Sequence, residues 1–535
     1  MIEMLKLLEE LDSKALEQII GKTNIRKIKD LLSDTDRTPN LAEITLAFFG
    51  ENILDNSSIR IEAIKTLPND IIQDLSLKYC GKIFPSAHAA AIQLAGRAWS
   101  AHSPFAIDLI ETLGVGKEYL PNKQYKLNTL EVIEPIGTYY PLFDYQAQVK
   151  DFIIKELINR QRRFIVQMPT GSGKTKTAVE SLLEYNQKFP MFDKGKSVLW
   201  VAHTEELCEQ AIETVSKIWR QTQKEELRIV RYYAGHDPVV EELFGSFIFS
   251  SYQKLCSKNS SDYVNVLSES CEVIVIDEAH KALAKTYRAM LETITEKEAI
   301  LIGLTATPGR SAKEILPNSE FSLMFNRKII TPVFDKNPIL ALREMNVLSK
   351  LEHIVLESNA QLYSPEQKID DEEVDYSQSQ LRSLWLNSER NKLIIETIKN
   401  EVNSGHPCLV FTCSVEHNVI LSSVLNYYGI QSNFVDSNQK KTHRRNIIRD
   451  FKDEKFDVLL NFGVLTTGFD APRIKTVIIT RPTTSIVLYS QMIGRGLRGK
   501  RMGGNETCRI IDIRDNLEDF GPIEDIYDFF NGYWE

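Results

Sequence analysis

The chain has 535 residues, of which 43% are hydrophobic and 26% are charged, a composition typical of globular proteins. It carries no apolar run of membrane-spanning length and no signal-peptide pattern at its start, so we expect a cytoplasmic protein without a membrane partner. The net charge of −9 argues against a protein whose whole surface binds phosphate through lysines. A local cleft can still bind nucleic acid. The seven cysteines are scattered without a Cys-x-x-Cys pair, so no zinc site is predicted.

The N-terminal quarter of the chain, residues 1–125, has the apolar spacing of amphipathic helices. Leu16, Ile19 and Ile20 precede Gly21, which is typical of a helix end, and a second apolar set follows from Ile25. This part contains no catalytic motif. We expect an all-α interaction or regulatory domain that binds a protein partner.

The middle of the chain alternates short apolar runs with helical stretches, which predicts parallel sheets covered on both faces. We expect one α/β domain at residues 126–335, a second in tandem at residues 336–515, and an acidic, aromatic tail at residues 516–535 that forms a short docking helix. The predicted strands of the two domains are Phe164–Val166, Ser197–Ala202, Arg228–Tyr233, Phe247–Ser251, Val273–Ile276 and Ile300–Leu304, then Cys408–Thr412, Ser432–Val435, Asp457–Asn461, Thr476–Thr480 and Arg509–Ile513.

A glycine-rich turn between a strand and a helix, Met168–Ala178, has the pattern of a phosphate cradle. Its glycines let the backbone approach an anion, Lys174 can reach the β- and γ-phosphates, and the Thr175 hydroxyl can hold Mg²⁺. The predicted nucleotide-binding residues of this turn are Thr170, Gly171, Ser172, Gly173, Lys174 and Thr175. Taken alone, an ordinary glycine turn before a helix is the competing interpretation.

Two further strand ends in the first domain carry polar side chains. The apolar run Val273–Ile276 ends in Asp277-Glu278-Ala279-His280, which predicts Asp277 at Mg²⁺ and Glu278 as the base that orients and deprotonates water. Thr305 and Thr307 follow the next strand and would sense the γ-phosphate through Glu278 or His280.

The second domain carries a glycine turn and an arginine pair. Thr466, Thr467, Gly468 and Asp470 leave one predicted strand, and Gln491, Arg495 and Arg498 follow the next. The two arginines are three residues apart, so we expect them on one helix face, presented across a cleft as fingers to a bound triphosphate. A phosphate-binding basic patch that includes Lys500 and Arg501 is the alternative.

These motifs, in this order, resemble the motif set of superfamily 2 helicases of the DEAD/DEAH type. Gln146 matches the motif that reads the adenine edge, Met168–Thr175 the first motif, and Asp277–His280 a literal DEAH box. The stretches Val464–Pro472 and Leu488–Arg498 are similar to RadD-type repair helicases and to type I and type III restriction-enzyme motor subunits.

The resemblance implies two RecA-like domains with ATP and Mg²⁺ between them, hydrolysed with stimulation by nucleic acid, DNA more than RNA. It implies catalytic roles for Lys174, Glu278, Gln491, Arg495 and Arg498, ATP contacts from Gly468 and Asp470, and coupling through His280, Thr305 and Thr307. Nucleic-acid contacts are implied for His203, Thr204, Ser251, Gln253, Thr412, Thr466 and Thr467. Two arginine and lysine clusters, residues 160–163 and 440–445, are either additional grips or solvated charge.

Three departures from the pattern limit what the resemblance implies. Phe143 stands where an arginine is common, the cysteine-rich region of RadD-type proteins is absent, and residues 1–125 have no counterpart in that group.

No nuclease motif is present, so cutting would need a partner. DNA repair and antiviral defence are both open settings, and an ATP-gated switch that recruits an effector through residues 1–125 without unwinding is the alternative function.

Overall fold

The first part of the chain is entirely helical where it is described. The computed structural model describes residues 2–33, 39–121, 129–133, 141–222, 225–257, 260–283, 285–309, 315–358, 360, 376–439, 441–466, 472–514 and 523–534. The eight N-terminal helices are α1 (Ile2–Glu10), α2 (Ser13–Ile20), α3 (Lys22–Leu31), α4 (Leu41–Phe49), α5 (Ser57–Lys65), α6 (Asn69–Cys80), α7 (Ala87–Ala95) and α8 (Pro104–Leu113).

Local capping explains where several of these helices begin and end. Gly21 follows α2 with φ 87°, a conformation that glycine adopts without steric cost. Asn40 and Glu43 exchange hydrogen bonds at the start of α4, where each side chain accepts from the other residue's backbone N–H at 2.8 Å. The expected helical character of this region is confirmed.

An eight-stranded sheet organises the first lobe, which we define as residues 129–330. Its strands lie in the order β1-β4-β5-β3-β6-β7-β2-β8, and all described pairs are parallel except β1 with β4. The strands are β1 (Leu130–Ile133), β2 (Arg163–Gln167), β3 (Ser197–Ala202), β4 (Leu227–Tyr232), β5 (Phe247–Ser251), β6 (Cys271–Asp277), β7 (Ile300–Thr305) and β8 (Ile329–Ile330). The helices are α9 (Asp144–Ile158), α10 (Lys174–Lys188), α11 (Glu205–Thr222), α12 (Tyr252–Leu255), α13 (Ser261–Ser270), α14 (Lys285–Thr295) and α15 (Ile315–Met324).

The second lobe, residues 350–514, is built on a parallel six-stranded sheet. Its strand order is β11-β12-β10-β13-β14-β9. The strands are β9 (Lys350–Glu357), β10 (Cys408–Phe411), β11 (Ser432–Asp436), β12 (Val458–Phe462), β13 (Thr476–Ile479) and β14 (Thr507–Arg514). The helices are α17 (Gln378–Trp385), α18 (Ser388–Asn403), α19 (Val415–Tyr427), α20 (Lys441–Lys452) and α21 (Ile486–Ile493), and α16 (Pro338–Glu344) lies between the lobes in the chain.

Both sheets place their functional loops at one edge. Because the central strands are parallel, their carboxyl ends lie on the same side of each sheet. These sides of the two lobes face each other across a cleft. Every predicted strand is present within one or two residues of its expected bounds. The strands that the sequence analysis missed, β1, β8 and β9, all lie at sheet edges.

The N-terminal helices pack against the second lobe. Ile25, Ile28 and Leu31 of α3 share one buried apolar cluster with Ile394 of α18 and Leu421 of α19. Lys27 Nζ also donates to the Leu386 carbonyl at 2.8 Å. Part of the apolar surface of these helices is therefore covered by the chain itself.

The tail returns to the first lobe. Its helix α22 (Ile523–Asp528) and the 3₁₀ turn Asn531–Tyr533 follow the second lobe in the chain. Trp534 Nε1 nevertheless donates to the Pro308 carbonyl at 2.7 Å, and the Trp534 ring packs edge-on against Phe321. The tail therefore contains the expected short helix, which contacts α16 and α21, and the residues after this helix dock on the first lobe. In the described part of the chain, none of the helices is both long and apolar enough to cross a lipid bilayer.

Candidate active site between the two lobes

The phosphate loop joins β2 to α10 in the shape that the sequence predicted. Gly171 and Gly173 have φ 84° and 87°, in the left-handed region that an L side chain rarely adopts. Gly173 precedes α10, so the backbone N–H groups of the first helical turn point into the loop. Lys174 is half-buried there, and its Nζ donates to the Met168 carbonyl at 3.3 Å.

Two side chains of α9 hold this loop from behind. The Tyr145 hydroxyl and Gln146 Nε2 both donate to the Ser172 carbonyl, at 2.6 Å and 2.8 Å. Gln146 Oε1 accepts from the Phe143 backbone N–H at 3.0 Å, and the side chain is 1% exposed. In this structure the Gln146 amide faces into the protein and positions the loop, and the role expected for it at the adenine edge stays a prediction. Tyr145 was missed, because an aromatic residue in an amphipathic helix gives no signal beyond core packing.

The two carboxylates after β6 lie in one buried electrostatic cluster with Lys174. Burial and the Glu278 charge raise the pKa of Asp277 above its ordinary value. Burial also raises the pKa of Glu278, but Lys174 and other positive charges outweigh it, so the net shift is downward and Glu278 is ionised at neutral pH. Burial lowers the pKa of Lys174. The residues expected to bind phosphate and Mg²⁺ therefore lie together.

Glu278 has a backbone conformation that sequence patterns do not reveal. Its φ is 52°, which is uncommon for a residue other than glycine, asparagine or aspartate. Such backbone strain concentrates at functional sites because the surrounding structure holds a side chain in a defined direction. Here it sets the carboxylate of Glu278 beside Lys174 and His280.

A hydrogen-bonded relay connects the second lobe to the first through His280. Gln491 Nε2 lies 3.1 Å from His280 Nε2 across the cleft. His280 Nδ1 lies 3.3 Å from Thr305 Oγ1, and that hydroxyl donates to the Thr307 carbonyl at 2.8 Å. The structure thus brings together all four residues from three separate motifs.

The arginine pair reaches the same site, but not from one helix face. Helix α21 ends at Ile493, Gly494–Gly496 forms a 3₁₀ turn, and Arg498 lies beyond it. The predicted shared helix face is therefore wrong, because glycines at 494 and 496 favour a turn before the helix can continue. The positive charge of Arg495 nonetheless acts on both Lys174 and Glu278.

Two glycines of the motifs pack closely against residues from the other side of the cleft at the phosphate loop. A Cβ atom on Gly494 would lie 2.7 Å from Cγ2 of Thr170, so only glycine fits there. A Cβ on Gly171 would lie 3.5 Å from Leu348 and 3.7 Å from Cγ of Arg498. Leu348, which the sequence analysis did not single out, pairs with Arg498 in an isolated β-bridge.

The donor set fits a nucleotide with Mg²⁺. The loop offers backbone N–H groups and a buried cation for phosphate. The Thr175 hydroxyl and the Asp277 carboxylate are hard oxygen donors of the kind Mg²⁺ prefers. The raised pKa of Asp277 indicates a buried carboxylate whose charge a cation would stabilise.

The residues expected to contact nucleic acid differ in their positions and in how exposed they are. His203, Thr204 and Ser251 lie at the carboxyl ends of β3 and β5, and Gln253 is exposed on α12. The hydroxyls of Thr204 and Ser251 also cap the helices that follow, accepting from Leu207 and Lys254 backbone N–H groups. Burial lowers the pKa of His203 to about 4, so this side chain is neutral at physiological pH.

Thr412 does not fit its expected role. Its side chain is 1% exposed and its hydroxyl donates to Asn418 Oδ1 at 2.7 Å, which holds the turn after β10. Thr466 is half-buried after β12. Thr467, Gly468 and Asp470 lie outside the described residues.

The arginine clusters are also engaged within the protein. Arg160 forms an ion pair with Glu272 at 2.6 Å, and Arg162 donates to the Thr295 carbonyl at 2.8 Å. Arg163 and Glu272 lie at the amino-terminal ends of β2 and β6, away from the cleft edge. The first cluster therefore lies away from the cleft, with Arg160 exposed and Arg162 and Arg163 bonded within the first lobe. Lys440 lies outside the described residues.

Comparison with known proteins places both lobes in recognised families. Residues 139–310 match the family described as type III restriction enzyme, res subunit, and residues 389–500 match the helicase conserved C-terminal domain. The Saccharomyces cerevisiae protein IRC3, named as an ATP-dependent helicase, is 29% identical over 395 residues, which cover 72% of this chain and 53% of that protein. A type I restriction enzyme subunit from Escherichia coli, the EcoAI endonuclease subunit, is 23% identical over 407 residues, covering 70% of this chain and 46% of that protein.

The matches to whole relatives are partial. The chain spans about half the length of the yeast and bacterial relatives, at 53% and 46%. The two family matches lie in different lobes, residues 139–310 in the first and residues 389–500 in the second. The first lobe is therefore similar to the res subunits of type III restriction enzymes and the second to the helicase conserved C-terminal domain, and the chain resembles an ATP-dependent helicase and a restriction-enzyme subunit over about 70% of its length.

Proposed function

We propose that the protein is an ATP-dependent helicase or translocase that moves on nucleic acid, DNA in preference to RNA. The observation that carries this proposal is the contact between Gln491 of the second lobe and His280 of the first, because it makes the nucleotide site depend on how the lobes meet. A site split in this way couples ATP binding and hydrolysis to movement between the lobes. We also propose the division of the chain into residues 1–125, 126–335, 336–515 and 516–535.

The residues of the site take distinct roles in this proposal. Lys174 and the loop from Thr170 to Thr175 hold the phosphates of ATP, and Glu278, ionised at neutral pH, accepts a proton from the attacking water. Mg²⁺ held by Thr175 and Asp277 would neutralise phosphate charge. Arg495 and Arg498 approach from the second lobe to stabilise the transferred phosphoryl group. Gly468 and Asp470 belong to the same proposed set.

Nucleic acid would cross both lobes at the carboxyl edges of the sheets. Contacts to phosphate are independent of base sequence and weaken with salt. We propose His203, Thr204, Ser251, Gln253, Thr466 and Thr467 as the contact residues. DNA repair or antiviral defence would be the setting, in the cytoplasm.

An ATP-gated switch is the second candidate function. The packing of α3 and α4 on the second lobe supports it, because a protein partner bound to residues 1–125 would then be joined to a moving part. Strand displacement by the protein without a partner would count against this candidate.

An ATPase assay tests the first candidate. We expect the hydrolysis rate to rise with single-stranded, duplex or forked DNA, and to rise less with RNA. Lys174→Ala should lower the rate by about 10²–10³-fold, since it removes a positive charge aimed at phosphate. Normal hydrolysis by that variant would refute the site, and absence of stimulation by every nucleic acid would refute the motor.

A further inference from the structure

A charged contact joins the lobes at a second place, away from the phosphate loop. Arg444 of α20 donates from Nε to Oε1 of Glu206 on α11 at 3.0 Å, and its Nη2 contacts the same oxygen. Arg445 flanks it, 3.8 Å from Glu205. Two carboxylates of the first lobe thus face two guanidinium groups of the second. These arginines belong to the cluster that the sequence left as either a nucleic-acid grip or solvated charge.

The position of this contact follows from the strand order. Helix α11 follows β3, which lies three places from β2, the strand before the phosphate loop. Helix α20 follows β11, which lies three places from β13, the strand before Gln491. Neighbouring strands are about 4.8 Å apart, so in each lobe the contact lies roughly 14 Å along the cleft from the strand that leads to the nucleotide site. It therefore closes the end where nucleic acid is proposed to lie.

The pair is held firmly on both sides. Arg444 Nη1 donates to the Asp436 carbonyl at 3.3 Å, which ties the guanidinium to its own lobe. Glu206 lies in the first turn of α11, where the helix dipole favours a carboxylate. Burial raises the pKa of Glu206, but the charge of Arg444 outweighs it and the net shift is downward. Both side chains are largely buried, at 17% exposure for Glu206 and 10% for Arg444, and Glu206 is charged at neutral pH.

A buried ion pair of this kind responds strongly to the loss of one partner. The remaining charge would lie uncompensated in the closed arrangement, which is costly. Moving the lobes apart exposes both side chains to water and relieves that cost. Loss of one partner therefore destabilises the contact between the lobes and leaves the fold of each lobe stable.

We propose that Glu206 and Arg444 form a latch that holds the two lobes in the arrangement where Gln491 reaches His280. Both are positioning residues, because they lie away from the phosphate loop and act through the lobe contact. That the ion pair holds the lobes together is inferred from the structure alone. Its effect on hydrolysis rests on the proposed function.

Glu206→Gln keeps the size of the side chain and removes its charge, so it tests the latch. Without nucleic acid, we expect the ATPase kcat to fall about tenfold, as the closed arrangement becomes less populated. Nucleic acid that bridges both lobes should recover much of the loss, so the stimulation ratio rises. The charge-swapped double variant, Glu206→Arg with Arg444→Glu, should return kcat to within about threefold of the original protein.

A matched control uses the same substitution inside one lobe. Glu184 pairs with Lys150 at 2.5 Å, and both belong to the first lobe. Glu184→Gln should leave kcat and the stimulation ratio within about twofold of the original values, since an ion pair of this exposure contributes little.

Small-angle X-ray scattering gives a readout that does not need hydrolysis. We expect Glu206→Gln to increase the radius of gyration without ligands and the charge swap to restore it. Unchanged scattering together with an unchanged kcat would overturn the latch, and would leave the proposed function intact if Lys174→Ala still abolishes hydrolysis. Opening of the lobes by Glu206→Gln in a protein that hydrolyses no ATP would support the latch and refute the proposed function.

Discussion

At the scale of single residues, His280 is held in one protonation state by its neighbours. Gln491 Nε2 is a donor, so His280 Nε2 must accept, and the ring proton is then assigned to Nδ1, which faces Thr305. Burial lowers the pKa of His280 to about 4, so the neutral ring persists at physiological pH. Because the unfolded chain takes up the proton near pH 6.5, the contribution of this neutral ring to stability is lost only as pH falls from about 6.5 towards 4.

Gln491→Leu tests the relay at this scale. The substitution keeps the volume but removes the donor, which leaves a buried nitrogen of His280 unpaired at a cost of about 1–3 kcal/mol. We expect kcat of nucleic-acid-stimulated hydrolysis to fall by about 5–150-fold, and KM for ATP to change much less. Gln378→Leu, at an exposed position of α17, is the control. An unchanged kcat for Gln491→Leu would show that the contact has no part in hydrolysis.

At the scale of elements, the tail segment 523–534 braces two functional loops of the first lobe. Gln167, the last residue of β2 before the phosphate loop, donates from Nε2 to the Tyr527 carbonyl at 3.2 Å. The Phe530 ring covers Gly309, where a Cβ atom would lie only 2.0 Å from it. Trp534 also donates to Pro308. The tail thus contacts the chain just before the phosphate loop and just after Thr307.

Trp534→Phe removes that hydrogen bond and keeps most of the aromatic packing against Phe321. The Pro308 carbonyl is then left unpaired in a buried place, at a cost of about 1–3 kcal/mol. We expect the melting temperature to fall by about 2–4 °C for each kcal/mol, measured by differential scanning calorimetry. Trp99→Phe provides the comparison, because Trp99 donates to an exposed carboxylate of Asp55 that water can replace. Equal shifts for the two variants would contradict a bracing role for the tail.

At the scale of the whole molecule, each lobe carries a segment that is distant in the chain. The N-terminal helices cover α18 and α19 of the second lobe, and Asn426 Nδ2 donates to the Ala47 carbonyl at 3.4 Å. The tail covers part of the first lobe. The N-terminal helices α3 and α4 are thus packed as a structural part of the second lobe, and residues 1–125 remain the proposed partner site.

Ile28→Ala tests that role. Ile28 is fully buried where α3 meets the second lobe, so the cavity should cost about 2–5 kcal/mol. We expect faster hydrogen exchange in the amides of α3, α18 and α19, measured by mass spectrometry. Ile92→Ala on α7, where the side chain is 44% exposed, should leave exchange in α18 and α19 unchanged. If Ile28→Ala also leaves it unchanged, the N-terminal helices do not stabilise the second lobe.

The sequence by itself determined the central strands and the two tandem sheets, and it predicted the strand–turn–helix form of the phosphate loop. Strands buried on both faces are continuous apolar runs, and phosphate chemistry demands glycines and a lysine at fixed spacing, so both leave local patterns. The edge strands β1, β8 and β9 were missed because they lack that run; β9 spans Lys350–Glu357 and carries charged residues on a partly exposed edge.

Only the tertiary structure decided how distant parts meet. The pairs Arg444–Glu206, Gln491–His280 and Trp534–Pro308 join residues more than 200 positions apart, and the spacing of nearby residues carries no record of them. The inward-facing amide of Gln146 depends on the packing of α9 against the phosphate loop, 26 positions away. Local patterns specified the parts of each lobe, and the packing of distant segments against each other specified how those parts are joined.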